Sequence, residues 1–260
     1  MKKPLIFILV LSALACQKAQ RDEDVATNSA EDVSLAQSIF SDAYKIMRVA
    51  ALNTQGISSA TGSITSVFGC ESISSDTISD PKEIIIDFKY IGCEGLDRVR
   101  YGRLVGQFYG KFSEVNSALD LTFSNYYFED YEVNGKVRVI FKEPNTGGNP
   151  VNTFYVTNGQ ITESNTLSWT ASQSWETVMD EGVVKFMVKG IRNGVNRKGN
   201  VFFAKIGTPL TLSDQCFSVL MGSQELEVIN LSNRTVLYEN SECVSRGVAV
   251  VNGARIPFTY

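Results

Sequence analysis

The chain has 260 residues, with 24 lysines and arginines against 28 aspartates and glutamates, and no histidine. A formal net charge of −4, with both signs interspersed, leaves no electrostatic footprint for nucleic acid. The missing imidazole excludes Ser-His-Asp and Cys-His catalysis and histidine metal sites, and no Gly-rich phosphate loop, HExxH helix or EF-hand loop is present. An enzyme would have to rest on carboxylates, lysine or tyrosine, which show no spacing signature, so a non-catalytic chain without metal or cofactor is expected.

Lys2 and Lys3 precede an apolar run from Leu5 to Leu14 that only Ser12 interrupts, and small Ala15 stands before Cys16. The run is too short for a spanning helix and reads as a secretory signal over 1–15. Leu11-Ser-Ala-Leu-Ala-Cys16 resembles a lipobox, with Ala13 where leucine is usual. That resemblance implies acylation of Cys16; an ordinary cleaved signal is the alternative. Acyl chains contribute about 0.8 kcal/mol per buried CH2, so two or three of them hold a protein on a membrane. Residues 16–30 are too poor in apolar side chains to order themselves and read as a flexible tether. Gln17 gives no inner-membrane retention signal, and Asp22, Glu23 and Asp24 lie later than in known surface-export signals. The expected address is the outer membrane, at its periplasmic face or the cell surface.

Leu35, Ile39, Ala43, Ile46, Met47 and Ala50 recur at three- and four-residue spacing, predicting an amphipathic helix over 31–51 that packs on a sheet. Ser29 and Asp32 outline a weak capping box. From 56 to 260 the chain is β-like: short runs rich in Val, Ile, Phe, Tyr and Thr, broken by Gly and Asn. Strands are expected near 62–69, 82–92, 98–113, 117–129, 151–157, 160–173, 182–190, 199–206, 215–221 and 224–231.

Asn-Gly pairs at Asn134-Gly135, Asn158-Gly159, Asn193-Gly194 and Asn252-Gly253 signal hairpins. At the first, charge pairing selects a three-residue loop, Val133-Asn134-Gly135, setting Glu132 against Lys136 and Asp130 against Arg138. The same loop at Val251-Asn252-Gly253 would put Val248 and Val250 on one face with Ala254, Ile256 and Phe258. Successive hairpins without crossover helices imply a curved antiparallel meander or half-barrel around the N-terminal helix, with a β-sandwich as the alternative. Glu143-Pro-Asn-Thr-Gly-Gly-Asn-Pro150 marks a midpoint where a half-domain boundary could fall.

With Cys16 acylated, Cys70, Cys93, Cys216 and Cys243 remain, an even number in an exported chain. Cys70–Cys93 with Cys216–Cys243 is the favoured of three connectivities, and four free thiols are the alternative. Loops of 23 and 27 residues would each contribute on the order of 3 kcal/mol. The contexts of Cys93 and Cys243, a strand into a cysteine and then a hairpin, suggest a duplicated unit.

Cys70, Ile84 to Phe88, Gly92-Cys93, Asp97-Arg-Val-Arg-Tyr-Gly102, Asn125-Tyr126, Asn196-Arg-Lys-Gly199, Pro209-Leu210, Cys216 and Cys243 together resemble a pattern in uncharacterised lipoproteins of Bacteroidota. Lys89-Tyr90 stands where that pattern has a glycine after Phe88. The resemblance implies an address and a fold; it carries no established activity. Asp76-Thr77-Ile78 is similar to the periplasmic O-glycosylation motif of the same phylum.

Two surfaces are candidates for function. Lys189, Arg192, Arg197 and Lys198 fall in one Gly- and Asn-rich stretch that either engages an anionic glycan or headgroup or is a solvated hairpin tip. Trp169, Trp175 and Tyr126 lead a set of aromatics that either form a sugar-stacking platform or pack the core. The chain reads as a binding or accessory module for a glycan, a lipid or another envelope protein; a structural envelope component without a small ligand is the second reading.

Overall fold

In the computed structural model, which describes residues 27–62 and 66–260, the apolar stripe forms helix α1, Asn28–Asn53. It is somewhat longer at both ends than the periodicity predicts. The signal 1–15, Cys16 and the tether as far as 26 lie outside the described residues. The tether does not reach 30, because Ser29 and Ala30 are fully buried in the first helical turn. Nor does a capping box form: the N-cap is Thr27, which makes no side-chain cap bond.

The stripe is buried as expected, but so are Val33, Ala36, Phe40 and Tyr44 on the other faces, and Ser34, Gln37, Ser38, Ser41, Asp42 and Lys45 between them. A helix lying on a sheet keeps one face wet. Here the sheet goes round the helix.

Among the described residues fifteen strands form one antiparallel sheet. In chain order they are β1 (Ser72–Asp76), β2 (Lys82–Asp87), β3 (Cys93–Gly95), β4 (Arg98–Tyr109), β5 (Ala118–Phe128), β6 (Tyr131–Lys142), β7 (Val151–Thr162) and β8 (Thr166–Asp180). Then follow β9 (Val183–Val195), β10 (Val201–Ile206), β11 (Leu210–Ser213), β12 (Met221–Val228), β13 (Arg234–Glu239), β14 (Arg246–Val251) and β15 (Ala254–Thr259). The order is a meander with two interrupted rows. β2 and β3 both pair β4, and β10 and β11 both pair β9. The sheet runs unbroken through the midpoint loop, since β6 pairs β7 from Lys142↔Val151 onward, so no half-domain boundary falls at 143–150. Part of the strand expected at 62–69 lies outside the described residues, its remainder is not strand, and the strand expected at 215–221 is a loop.

Contacts to α1 come from all round the sheet. Phe40 meets Phe123 of β5 and stacks on Trp169 of β8, while Tyr44 packs on Phe154 of β7 and Trp175 of β8. Gln37 accepts from Gln173 of β8 and Arg192 of β9, and Lys45 donates to the carbonyls of Ser213 and Cys216. Ser34 meets the Tyr238 hydroxyl of β13 at 2.6 Å. The outer strands β1 and β15 do not pair, so the barrel is not closed by a ladder. Side chains lace the gap instead. Phe217, from the loop after β11, stacks on Phe128, with the Arg98 guanidinium 5.1 Å from its ring centre. Arg98 donates to Ser245, and Ser218 meets Ser245 at 2.9 Å.

Both expected hairpin registers are overturned. The β5–β6 turn is Glu129-Asp130, ahead of Asn134-Gly135 in the chain, so Glu132 faces Tyr127 and Lys136 faces Thr122. Asn134-Gly135 lies inside β6 at a bulge, where Gly135 has φ 122. Asn158-Gly159 is likewise a bulge in β7, and Asn193-Gly194 lies in paired β9. Only Asn252-Gly253 turns the chain among these four, as a two-residue loop with Val251 opposite Ala254. Gly247, Ala249 and Val251 therefore face inward, with Phe258 buried as well, the reverse of the predicted face for β14. A slip of one residue turns every side chain over. Both disulfides form as expected, Cys70–Cys93 and Cys216–Cys243. Their contexts differ in that Cys93 opens a short strand and Cys243 lies in a loop.

The helix is fastened to the sheet by a buried ion pair. Arg100 of β4 donates through Nε and Nη2 to the two carboxylate oxygens of Asp42, at 2.8 and 2.9 Å, and neither side chain is exposed. Nη1 is taken by the carbonyls of Gly95 and Arg98. The guanidinium lies between the rings of Phe68 and Phe128, 5.0 and 5.4 Å from their centres. Removing one member of such a pair strands the other in low dielectric, at about 3–5 kcal/mol. Asp42→Asn is therefore expected to lower unfolding stability by about that amount in denaturant titration, and Asp42→Leu combined with Arg100→Met to lose much less.

Burial also fixes the alkaline limit. Burial drives the hydroxyls of Tyr44 and Tyr238 up to about 12, and those of Tyr126 and Tyr260 further up. Tyrosines of the unfolded chain ionise near 10, so their contribution is complete below pH 10 and is lost as pH rises above it. Lys45 runs the other way, because burial lowers it to about 8. Stability should climb modestly from pH 8 towards 10 as Lys45 discharges, then fall. Tyrosinate absorbance followed beside circular dichroism should show these four tyrosines ionising only as the fold is lost.

Candidate ligand-binding cleft

Alternation along β5 sends Tyr126 and Phe128 inward and leaves Tyr127 outside. Tyr101 of β4 is its direct cross-strand partner. Beyond this pair the register shifts: Tyr101 faces Tyr127 but Arg103 faces Ser124. Gly102 sits in the bulge at φ 72, and a Cβ there would lie 1.8 Å from the Asn125 carbonyl oxygen, so only glycine fits. The bulge anchors the β2–β3 loop. Phe88 N–H donates to the Gly102 carbonyl, and Gly102 N–H donates to the Lys89 carbonyl.

The loop then projects. Lys89 has φ 63, a left-handed conformation that favours glycine, and Tyr90 and Ile91 stand 92% and 72% exposed. Phe88 points back into the core, and Cys93 closes the loop through its disulfide to Cys70. Between loop and sheet lies a cleft of about 720 Å³, lined by Tyr90, Tyr101 and Tyr127 with Asp87, Arg103 and Asn125. Arg103 Nε donates to Asp87 Oδ2 at 2.7 Å, and its side chain is otherwise more than half exposed. Partial burial pushes the Asp87 carboxyl up, but the bonds from Arg103 and the Lys89 amide outweigh it and hold the group below the usual range. The cleft thus offers aromatic faces beside a carboxylate, a guanidinium, an ammonium and a side-chain amide.

The candidates from sequence fare differently. Trp169, Trp175 and Tyr126 are at most 1% exposed and build the core, so they form no platform. The tyrosines that do face outward were legible only through the Tyr126-Tyr127 alternation and the Lys89-Tyr90 departure. The four cations are not one loop either. Lys189 and Arg192 belong to β9, with Lys189 outside and Arg192 in the interior. Arg197 is tied to Asp32 at 2.6 Å, with Glu163 3.8 Å away. Only Lys198 remains an exposed cation of the loop, and the shallow hollow beside it also contains Glu31, Asp32 and Glu163. Excess positive charge is missing there. Thr77 of the glycosylation-like motif is half-buried over Gly56, beside a fully exposed Ile78.

Among the described residues no helix is long and apolar enough to cross a membrane. Cys70, Glu71 and Cys93 place ligand-type atoms within 4.8 Å of one another, but the two sulfurs are joined as a disulfide. No family model matches the chain, and no curated protein or solved structure shows significant similarity to it.

Proposed function

We propose that the chain is a non-catalytic envelope lipoprotein, anchored through Cys16 to the outer membrane, whose β body binds a glycan in the tyrosine cleft. The observation that carries this reading is the outward Tyr101–Tyr127 pair with exposed Tyr90 beside it, among groups that donate and accept hydrogen bonds. A pyranose ring presents C–H faces that lie on aromatic rings, and a rim of hydroxyls that needs polar partners. Few surfaces supply both, and an exposed aromatic cluster on a rigid sheet is costly in solubility unless it is used. A lipid ligand has less support, because α1 fills the space an acyl chain would need. The absence of histidine from the sequence supports binding over catalysis.

A second reading, an assembly component without a small ligand, draws on the outer face of β9 and β10. There Ile191, Val201 and Phe203 are 45%, 46% and 39% exposed; Phe203 lies diagonally from Ile191, whose direct partner is Lys205, and Val201 lies two residues along β10 from Phe203. The three make a small apolar patch, bordered by Lys205 and Asn193, that a protein partner could cover.

Glycan arrays and calorimetry separate the two. Tyr101→Ala and Tyr127→Ala should each weaken glycan binding about tenfold, equivalent to about 1.4 kcal/mol, with little change in melting temperature. Failure to bind any envelope or extracellular polysaccharide would remove the glycan reading and leave the apolar patch as the functional surface. For the anchor, Cys16→Ser should move the protein from the membrane fraction to the soluble fraction, and unchanged retention would refute acylation at that residue.

A further inference from the structure

Arg192 faces the helix from the middle of the wrapped sheet and is 1% exposed. Nη1 donates to Gln37 Oε1 at 2.9 Å. Nε and Nη2 have no hydrogen-bond partner, and among the described residues no carboxylate forms an ion pair with this guanidinium. The comparison within the same interior is instructive. Nε and Nη2 form the edge by which Arg100 grips both oxygens of Asp42; Arg192 presents the same edge without a carboxylate.

The surroundings are polar but neutral. Gln173 donates to Gln37, and Gln224 donates to Tyr238, whose hydroxyl meets Ser34. Oε1 of Gln224 is itself unpartnered. On the two neighbouring strands Arg192 is flanked by Ala171 and Ala204, the smallest chiral side chains. Burial pulls the group down to about 10, so it stays charged at neutral pH. An unpaired buried cation costs several kcal/mol, which neutral amides cannot recover.

We propose that the fold encloses one small monovalent anion, of the size of chloride, held by Nε and Nη2 of Arg192 between the sheet and α1. The parallel N–H edge suits a single compact acceptor as well as a carboxylate. Its binding is coupled to folding, since the site exists only once the sheet has closed over the helix.

The test counts the ion. Full-length mature protein, disulfides intact, is unfolded and refolded in chloride, exchanged into gluconate buffer, and unfolded again. Ion chromatography should find about one chloride released per chain, and none from Arg192→Gln. The unfolding midpoint of the wild type should rise with chloride at fixed ionic strength set by gluconate, and the variant should lose that dependence. Should the variant fail to fold, an anomalous bromide peak within hydrogen-bonding distance of Arg192 Nε in wild-type crystals grown from bromide gives the same answer. No released chloride together with a midpoint indifferent to halide, or bromide crystals with no such peak, overturns the proposal.

Discussion

The ion pair between Asp42 and Arg100 sets the position of the helix, and much of the fold is arranged to keep that pair dry and satisfied. Asp42 accepts along two parallel bonds, which fixes the rotation of α1 as well as its height in the sheet. The third guanidinium nitrogen is taken by carbonyls around the β3–β4 turn, so the same arginine holds that turn. Phe128 and Phe68 both pack their rings against the guanidinium. Phe68 in turn lies against Gly95, where any Cβ would strike its ring. Glu71 accepts from the Val67 and Phe68 amides, and the Cys70–Cys93 disulfide ties the segment down beside it. A covalent bond near the surface thus seals an electrostatic bond in the interior. The second disulfide does comparable work, joining the loop that carries Phe217, stacked on Phe128, to the β13–β14 connection.

A helix enclosed on every side poses a problem of uniqueness. Apolar packing alone would allow it to rotate or slide, because Leu, Ile and Ala side chains are nearly interchangeable against a sheet of Val and Phe. Ser34, Gln37, Asp42 and Lys45 each have a particular partner on a different strand, and all are satisfied together in one orientation. Buried polar groups of this kind add little net stability but penalise alternatives heavily. At the helix start Asp32 repeats the device with Arg197, which leaves Lys198 as the exposed cation of that loop.

Much of this was legible beforehand, for physical reasons that differ between features. The meander, the helix and the cysteine pairing follow from local signals: short β-branched runs, a 3.6-residue period and an even cysteine count. Register did not follow. Asn-Gly is favoured wherever two successive residues need left-handed or extended freedom, and a bulge meets that condition as well as a turn does. Asn134-Gly135 and Asn158-Gly159 are bulges that bend β6 and β7 around α1, so their chemistry serves curvature. The same curvature decided the aromatics. Trp169 and Trp175 are drawn inward because a sheet wrapped on a single helix has a concave face that large rings fill, while Tyr101 and Tyr127 beside the Gly102 bulge remain outside.

That division bears on where a ligand can act. In an open half-barrel the concave face is the natural binding surface, but here α1 occupies it and its polar side chains are committed to the strands. The interior keeps one unpartnered guanidinium edge, on Arg192 between two alanines, where the proposed ion would sit. Anything larger must be met on the convex face. Convex sheets offer little relief, since alternating side chains splay apart and make shallow surfaces. The interruption between β2 and β3 supplies the missing wall: the chain leaves the ladder at Phe88, rises through Lys89, Tyr90 and Ile91, and returns at Cys93. This hollow on the outside therefore exists because one strand row is broken, and the broken end is the one held by the disulfide that also seals Arg100. Rigidity of the cleft and integrity of the core are properties of the same few residues.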